Sequence, residues 1–110
     1  MIAYTMITGA SSGIGLEMAK MLAKKNYNLI LIARSEQRLN QIQKELTEKH
    51  NVVIQIMLID LAEKNAAQDI YNQVKENNWQ VAGLINNAGF GDYGHFVEMP
   101  LNNDEEMIAV

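Results

Sequence analysis

Four short apolar runs punctuate the chain, at residues 2–8, 28–33, 52–59 and 81–86. Each is rich in Ile, Leu, Val or Met with little alternation, the pattern of strands buried on both faces. Amphipathic stretches separate them. Ile14, Met18, Met21 and Leu22 recur at helical spacing, as do Leu39, Ile42 and Leu46, and then Ala67, Ile70 and Val74. The positions between are largely Lys, Glu, Gln and Asn, so each stretch predicts a helix with one apolar and one wet face. Strand and helix alternating in this way predict an α/β domain with a parallel sheet and right-handed crossovers.

The last residues have a pattern of their own. Asp104, Glu105 and Glu106 suit the first turn of a helix, and Met107, Ile108 and Val110 begin an apolar face. No Gly, Asn or basic last turn follows. The expectation is a helix cut in its second turn, so residues 1–110 read as one truncated domain.

Composition narrows the function classes. Hydrophobic residues make up 48% and charged residues 20%, as in ordinary globular proteins. Thirteen acidic and nine basic side chains give a formal net charge of -4, with no basic cluster, which argues against a nucleic-acid partner. The chain has no cysteine, so disulfides, thiolate metal sites and a cysteine nucleophile are excluded. No apolar run approaches a membrane span and no signal-peptide pattern opens the chain, so a cytoplasmic location is expected.

Candidate chemistry lies first in Thr8-Gly9-Ala10-Ser11-Ser12-Gly13-Ile14-Gly15, between the first predicted strand and helix. A phosphate bound by backbone N–H groups at a helix N-terminus must come closer than side chains allow. Gly9 permits the tight turn, Gly13 the close approach, and Gly15 close packing of helix on strand. Ser11 and Ser12 can donate hydroxyl hydrogen bonds to phosphate or ribose. The competing reading is a plain glycine turn, which the strand–loop–helix setting disfavours.

With this loop the chain resembles the short-chain dehydrogenase/reductase family. The loop matches that family's Gly-x3-Gly-x-Gly cofactor motif. Asn86-Asn87-Ala88-Gly89 is similar to its second signature at the end of the fourth strand, and Asp60-Leu61 to the pair that meets the adenine. The segment 89–94 also resembles a subgroup of broad carbonyl reductases. The resemblance spans all 110 residues, somewhat under half of a typical member. It implies a Rossmann-like three-layer α/β/α fold with about four parallel strands in the order 3-2-1-4, half of a doubly wound sheet. It also implies a dinucleotide site formed by Gly9, Ser11, Ser12, Gly13, Ile14, Gly15, Arg34, Asp60, Leu61, Asn87, Ala88 and Gly89. In the family the two asparagines brace the central strands and line the cofactor pocket.

The nucleotide is read at the end of the second strand. An NAD site usually places an Asp or Glu there for the ribose 2′-hydroxyl. This chain has Ala33 followed by Arg34, whose guanidinium can grip a 2′-phosphate in bidentate fashion. NADP(H) is therefore predicted over NAD(H), which stays open as the alternative. Against this stands Arg34 as a solvated loop residue, partly neutralised by Glu36. Asp60 has a second reading as a helix N-cap before Ala62-Glu63.

The family's chemistry uses a Tyr and a Lys four residues later, with a Ser and an Asn. Tyr71 and Lys75 have that spacing but precede Asn86 by 15 residues, on the wrong side of the second signature. The expectation is that Tyr71 edges the core and Lys75 faces water. No catalytic residue and no metal site is assigned, and His50 and His95 read as ordinary helix-end and loop histidines. The whole enzyme would move hydride between NADP(H) and a carbonyl or alcohol; this stretch alone is expected to bind cofactor weakly and not to catalyse. Two other readings are a nucleotide-binding or regulatory module complete at this length, and a different Rossmann-like enzyme such as a methyltransferase. Strand order 3-2-1-4 would leave residues 81–85 as a bare sheet edge, so self-association through that edge is predicted.

Overall fold

A computed structural model describes residues 2–87, and the backbone of residues 95–98. The elements run β1 (Ala3–Thr8), α1 (Gly13–Lys24), β2 (Asn28–Ala33), α2 (Glu36–Lys49), β3 (Ile54–Leu58), α3 (Ala66–Glu76), β4 (Gln80–Asn86) and β5 (His95–Glu98). The sheet order is β3-β2-β1-β4-β5, and the first four strands are parallel in the expected 3-2-1-4 arrangement.

Burial on both faces explains the unbroken apolar runs. In β2, Ile30 and Ile32 join a core beneath α3, with Tyr4, Met6, Met57, Ile70, Val74 and Leu84. Leu29, Leu31 and Ala33 point to the opposite core beneath α1 and α2, with Ile7, Leu39, Ile42, Leu46 and Ile85. Ile30, Leu31 and Ile32 are all fully buried, so no position in this stretch has reason to be polar.

Three expectations need correction. The outer edge of β4 is not bare: β5 pairs with it antiparallel, in the register Gly83↔Glu98 to Asn86↔His95. Strand edges carry unpaired N–H and C=O groups, and a neighbouring strand satisfies them. The second correction concerns α1, which turns Gly15, Ala19 and Ala23 to the sheet. Met18 and Leu22 pack at the margin, while Ile14 and Met21 are 66% and 43% exposed. Small residues at the contact let the helix axis approach the strands closely, and the large side chains are displaced to the flanks. Third, α3 starts at Ala66 with Asn65 as its cap and buries Ala66, Ile70 and Val74, while Ala67 is exposed.

The helix ends carry a feature the sequence reading did not include. Asn26 and Asn78 adopt left-handed conformations, with φ of 71° and 58°. After α1, Asn26 N–H donates to the Ala23 carbonyl and Tyr27 N–H to that of Leu22; after α3, Asn78 and Trp79 do the same with Lys75 and Val74. Both are Schellman endings with Asn where Gly is commonest. Each turns the chain directly into the next strand.

Candidate functional site

Parallel strands bring their C-terminal ends to one edge of the sheet, where open α/β sheets bind ligands. A cleft of about 350 Å³ lies there, lined by Gly9, Ser11, Ser12, Ala33, Arg34, Ile59, Asp60, Leu61 and Ala62. Of the twelve residues singled out from sequence, six meet in it: Gly9, Ser11, Ser12, Arg34, Asp60 and Leu61. Gly13, Ile14, Gly15 and Asn87 stand outside its lining, in the helix start and strand end beside it. Ala88 and Gly89 lie outside the described residues. Ile59 and Ala62 were missed because only the Asp60-Leu61 pair was read; the same loop carries all four.

The glycine loop is shaped for backbone exposure. Gly9 and Gly13 have φ of 64° and 61°, where an L side chain is strained. A Cβ at Gly13 would meet nothing within 4 Å, so the space beside it is open. Gly15 has a different reason. A Cβ there would strike the Gly9 carbonyl oxygen and come within 2.7 Å of Asn87 Nδ2. Ser12 is the N-cap of α1, but its side chain makes no capping hydrogen bond. A helix start without such a bond keeps N–H groups for another acceptor, and the dipole favours an anionic one. This donor set fits the pyrophosphate of a dinucleotide.

A polar latch joins the ends of β1 and β4. Thr8 Oγ1 donates to Asn86 Oδ1 at 2.9 Å and accepts from Asn87 N–H at 2.8 Å. Asn87 Nδ2 donates to the Gly9 carbonyl at 3.4 Å. Thr8 and Asn86 are buried, where an unpaired polar group costs about 1–3 kcal/mol. The latch holds the start of the glycine loop to the central strand pair.

On the opposite wall, Arg34 is exposed and has no carboxylate partner among the described residues. Glu36 makes no ion pair with Arg34; an ion pair among the described residues is Lys20–Glu17 on α1, at 3.7 Å. Asp60 Oδ1 accepts from Ala62 N–H at 2.9 Å and its carbonyl from Glu63 N–H at 2.9 Å. Asp60 thus caps the turn at 60–63, ahead of α3, rather than the helix itself. Ile59 N–H donates to the Ala33 carbonyl at 3.1 Å, which ties the Asp60 loop to the end of β2 within this wall.

Tyr71 and Lys75 belong to α3 and do not line the cleft. Tyr71 packs against the core, and Lys75 Nζ lies over its ring at 5.6 Å from the centroid. Trp79 packs on the same core with its ring 6.1 Å from that of Tyr4. His50 is the C-cap of α2 and His95 opens β5. Among the described residues no three His, Cys, Asp or Glu side chains cluster as a metal site, and no helix is long and apolar enough to cross a membrane.

Known proteins are similar to this chain in sequence and fold. The very-long-chain 3-oxoacyl-CoA reductase of Vanderwaltozyma polyspora is 41% identical over 106 residues, 94% of this chain and 29% of that protein. The bulky-bulky ketone specific alcohol dehydrogenase of Comamonas testosteroni superposes with a TM-score of 0.71 at 34% identity, covering 86% of this chain and 39% of its own. The L-sorbose reductase of Gluconobacter frateurii, solved with NADPH and L-sorbose, gives 0.72 at 34% identity, over 81% and 34% of the two chains. This chain therefore spans about a third of the length of such relatives. The short chain dehydrogenase family matches from residue 3 to residue 110, and the chain belongs to that family.

Proposed function

We propose that this chain is the NADP(H)-binding portion of an oxidoreductase that moves hydride between the nicotinamide and a carbonyl or alcohol carbon. The observation that carries the reading is the cleft at the strand ends. Its one wall is a glycine loop leading to a helix start without a side-chain cap, and its other holds Arg34 beside Ala33. In this reading the loop and the first turn of α1 receive the pyrophosphate, and Arg34 receives the 2′-phosphate. Asp60 and Leu61 border the adenine, and Asn87 with residues 88–89 borders the far half of the cofactor. The bound dinucleotide supplies the hydride. Relatives named as 3-oxoacyl-CoA, ketone and sorbose enzymes, one of them solved with NADPH, support a carbonyl substrate and reduction as the direction.

Residues 1–110 act here as one cofactor-binding unit, and among the described residues Tyr71, engaged in the core of the flank, is not placed to donate a proton at the cleft. The chain is expected to bind cofactor and to leave NADPH unoxidised with any ketone. A cytoplasmic location belongs to the same reading, on the lack of a membrane-span run or a signal-peptide pattern in the sequence. So does self-association, now through the outer edge of β5 rather than β4; sedimentation over a hundredfold concentration range reads it directly, and an invariant monomer rejects it.

Parallel calorimetric titrations with NADPH and NADH test the assignment. NADPH is expected to bind tighter, and Arg34→Ala to lose about tenfold or more of its affinity while NADH is unchanged. Equal affinities for the two cofactors in the unmodified chain would reject the NADP(H) preference.

A further inference from the structure

Three consecutive residues of the glycine loop are each fastened to a different element. The Gly9 carbonyl accepts from Asn87 after β4, and Ala10 N–H donates to the Ile32 carbonyl in β2 at 3.2 Å. The Ser11 carbonyl accepts from Arg38 Nη2, 27 residues further along in the first turn of α2. The first two ties are made by groups at the ends of the central strands. The third comes from an exposed, charged side chain at a place where the helix dipole disfavours a cation.

We propose that Arg38 is a positioning residue for the cofactor loop, acting through the Ser11–Ser12 peptide; the proposal rests on the reading of the cleft given above. The peptide bonds described are trans, so the Ser11 carbonyl and the Ser12 N–H lie on opposite sides of one rigid plane. Holding the carbonyl toward α2 holds the Ser12 N–H the other way. Ser11 and Ser12 both line the cleft, and Ser12 is the N-cap of α1. The guanidinium therefore sets the orientation of the peptide that leads into the phosphate-facing turn. Arg38 itself does not line the cleft, whereas Arg34 does. That difference separates the two arginines: Arg34 distinguishes the cofactors by their 2′ group, and Arg38 serves the part that both cofactors share.

The test compares the unmodified chain with Arg38→Ala and Arg38→Lys, a shorter donor able to reach a carbonyl. The first arm needs no cofactor. Amide hydrogen exchange across residues 11–15 should quicken about tenfold in Arg38→Ala and recover in part in Arg38→Lys, with the exchange of β1 and β4 unchanged. The second arm is calorimetry. Arg38→Ala should weaken NADPH and NADH by the same factor, about fivefold to tenfold, and leave their ratio intact. Unchanged exchange in the loop overturns the proposal. So does a loss confined to NADPH, which makes Arg38 a ligand of the 2′-phosphate. Should the unmodified chain bind neither cofactor, the function proposed above fails by itself, and the exchange arm alone decides whether Arg38 orients the loop.

Discussion

Two helices of this chain begin with a serine cap, and they use it in opposite ways. At α2, Ser35 accepts a hydrogen bond from Arg38 N–H at 3.3 Å, and Glu36 adds an acidic side chain to the first turn. The helix satisfies its own start. At α1, Ser12 makes no capping bond, no acidic residue stands in the first turn, and glycines occupy positions 13 and 15. In the proposed function that start receives a group from outside, and its side-chain-free approach suits a group that needs the backbone. The same residue type thus marks a structural cap in one place and, in the proposed function, a binding edge in the other. The neighbours decide which.

The contrast can be broken most severely at Gly15. Gly15→Val places atoms against the Gly9 carbonyl and Asn87 Nδ2, and should cost about 1–3 kcal/mol or more and abolish cofactor binding. Denaturant unfolding and titration together measure both losses. Gly13→Ala separates folding from binding. Its Cβ meets nothing, but φ of 61° makes it strained by about 1–2 kcal/mol. Affinity should fall further than this strain accounts for, because the methyl group occupies the approach to the backbone. Affinity that follows stability alone would mean that the open space beside Gly13 is not used.

The serine pair sharpens the comparison with smaller effects. Ser35→Ala should lower stability by about 1 kcal/mol through loss of its cap. Ser12→Ala removes no capping bond, so unfolding should stay within about 0.5 kcal/mol while cofactor affinity declines. Equal destabilisation by the two substitutions would erase the distinction.

Most of the frame was legible because buried parallel strands leave no polar positions to confuse the pattern. The four runs fall on β1 to β4 with ends shifted by a few residues, and the order is the one that the family resemblance implied. The face of α1 was misread for a physical reason. Periodicity weights large side chains, whereas this helix gains its contact from Gly15, Ala19 and Ala23, whose smallness permits closeness. β5 was not anticipated, since four residues after a glycine-rich stretch carry too little pattern to identify a strand. In the site, the glycine loop, Arg34 and the Asp60 loop could be read from their places at strand ends. Arg38 could not: on an amphipathic helix an arginine has the form of any solvated residue, and its link to Ser11 exists only once α2 is folded back against the loop.

The latch between Thr8, Gly9 and Asn87 bears on the order in which the protein can be made. β1 is finished by residue 8, yet its partner on one side begins at Gln80. During synthesis the central strand must wait for some seventy residues, with apolar positions such as Ile7 lacking the contacts of Ile85. Pairings so distant in sequence close slowly, because the chain entropy is lost before the contacts are gained. Gly9 is tied to Asn87 across the same interval. The nascent chain therefore reaches the final shape of its glycine loop only when the sheet around it is complete, and maturation of that loop becomes a late checkpoint of folding.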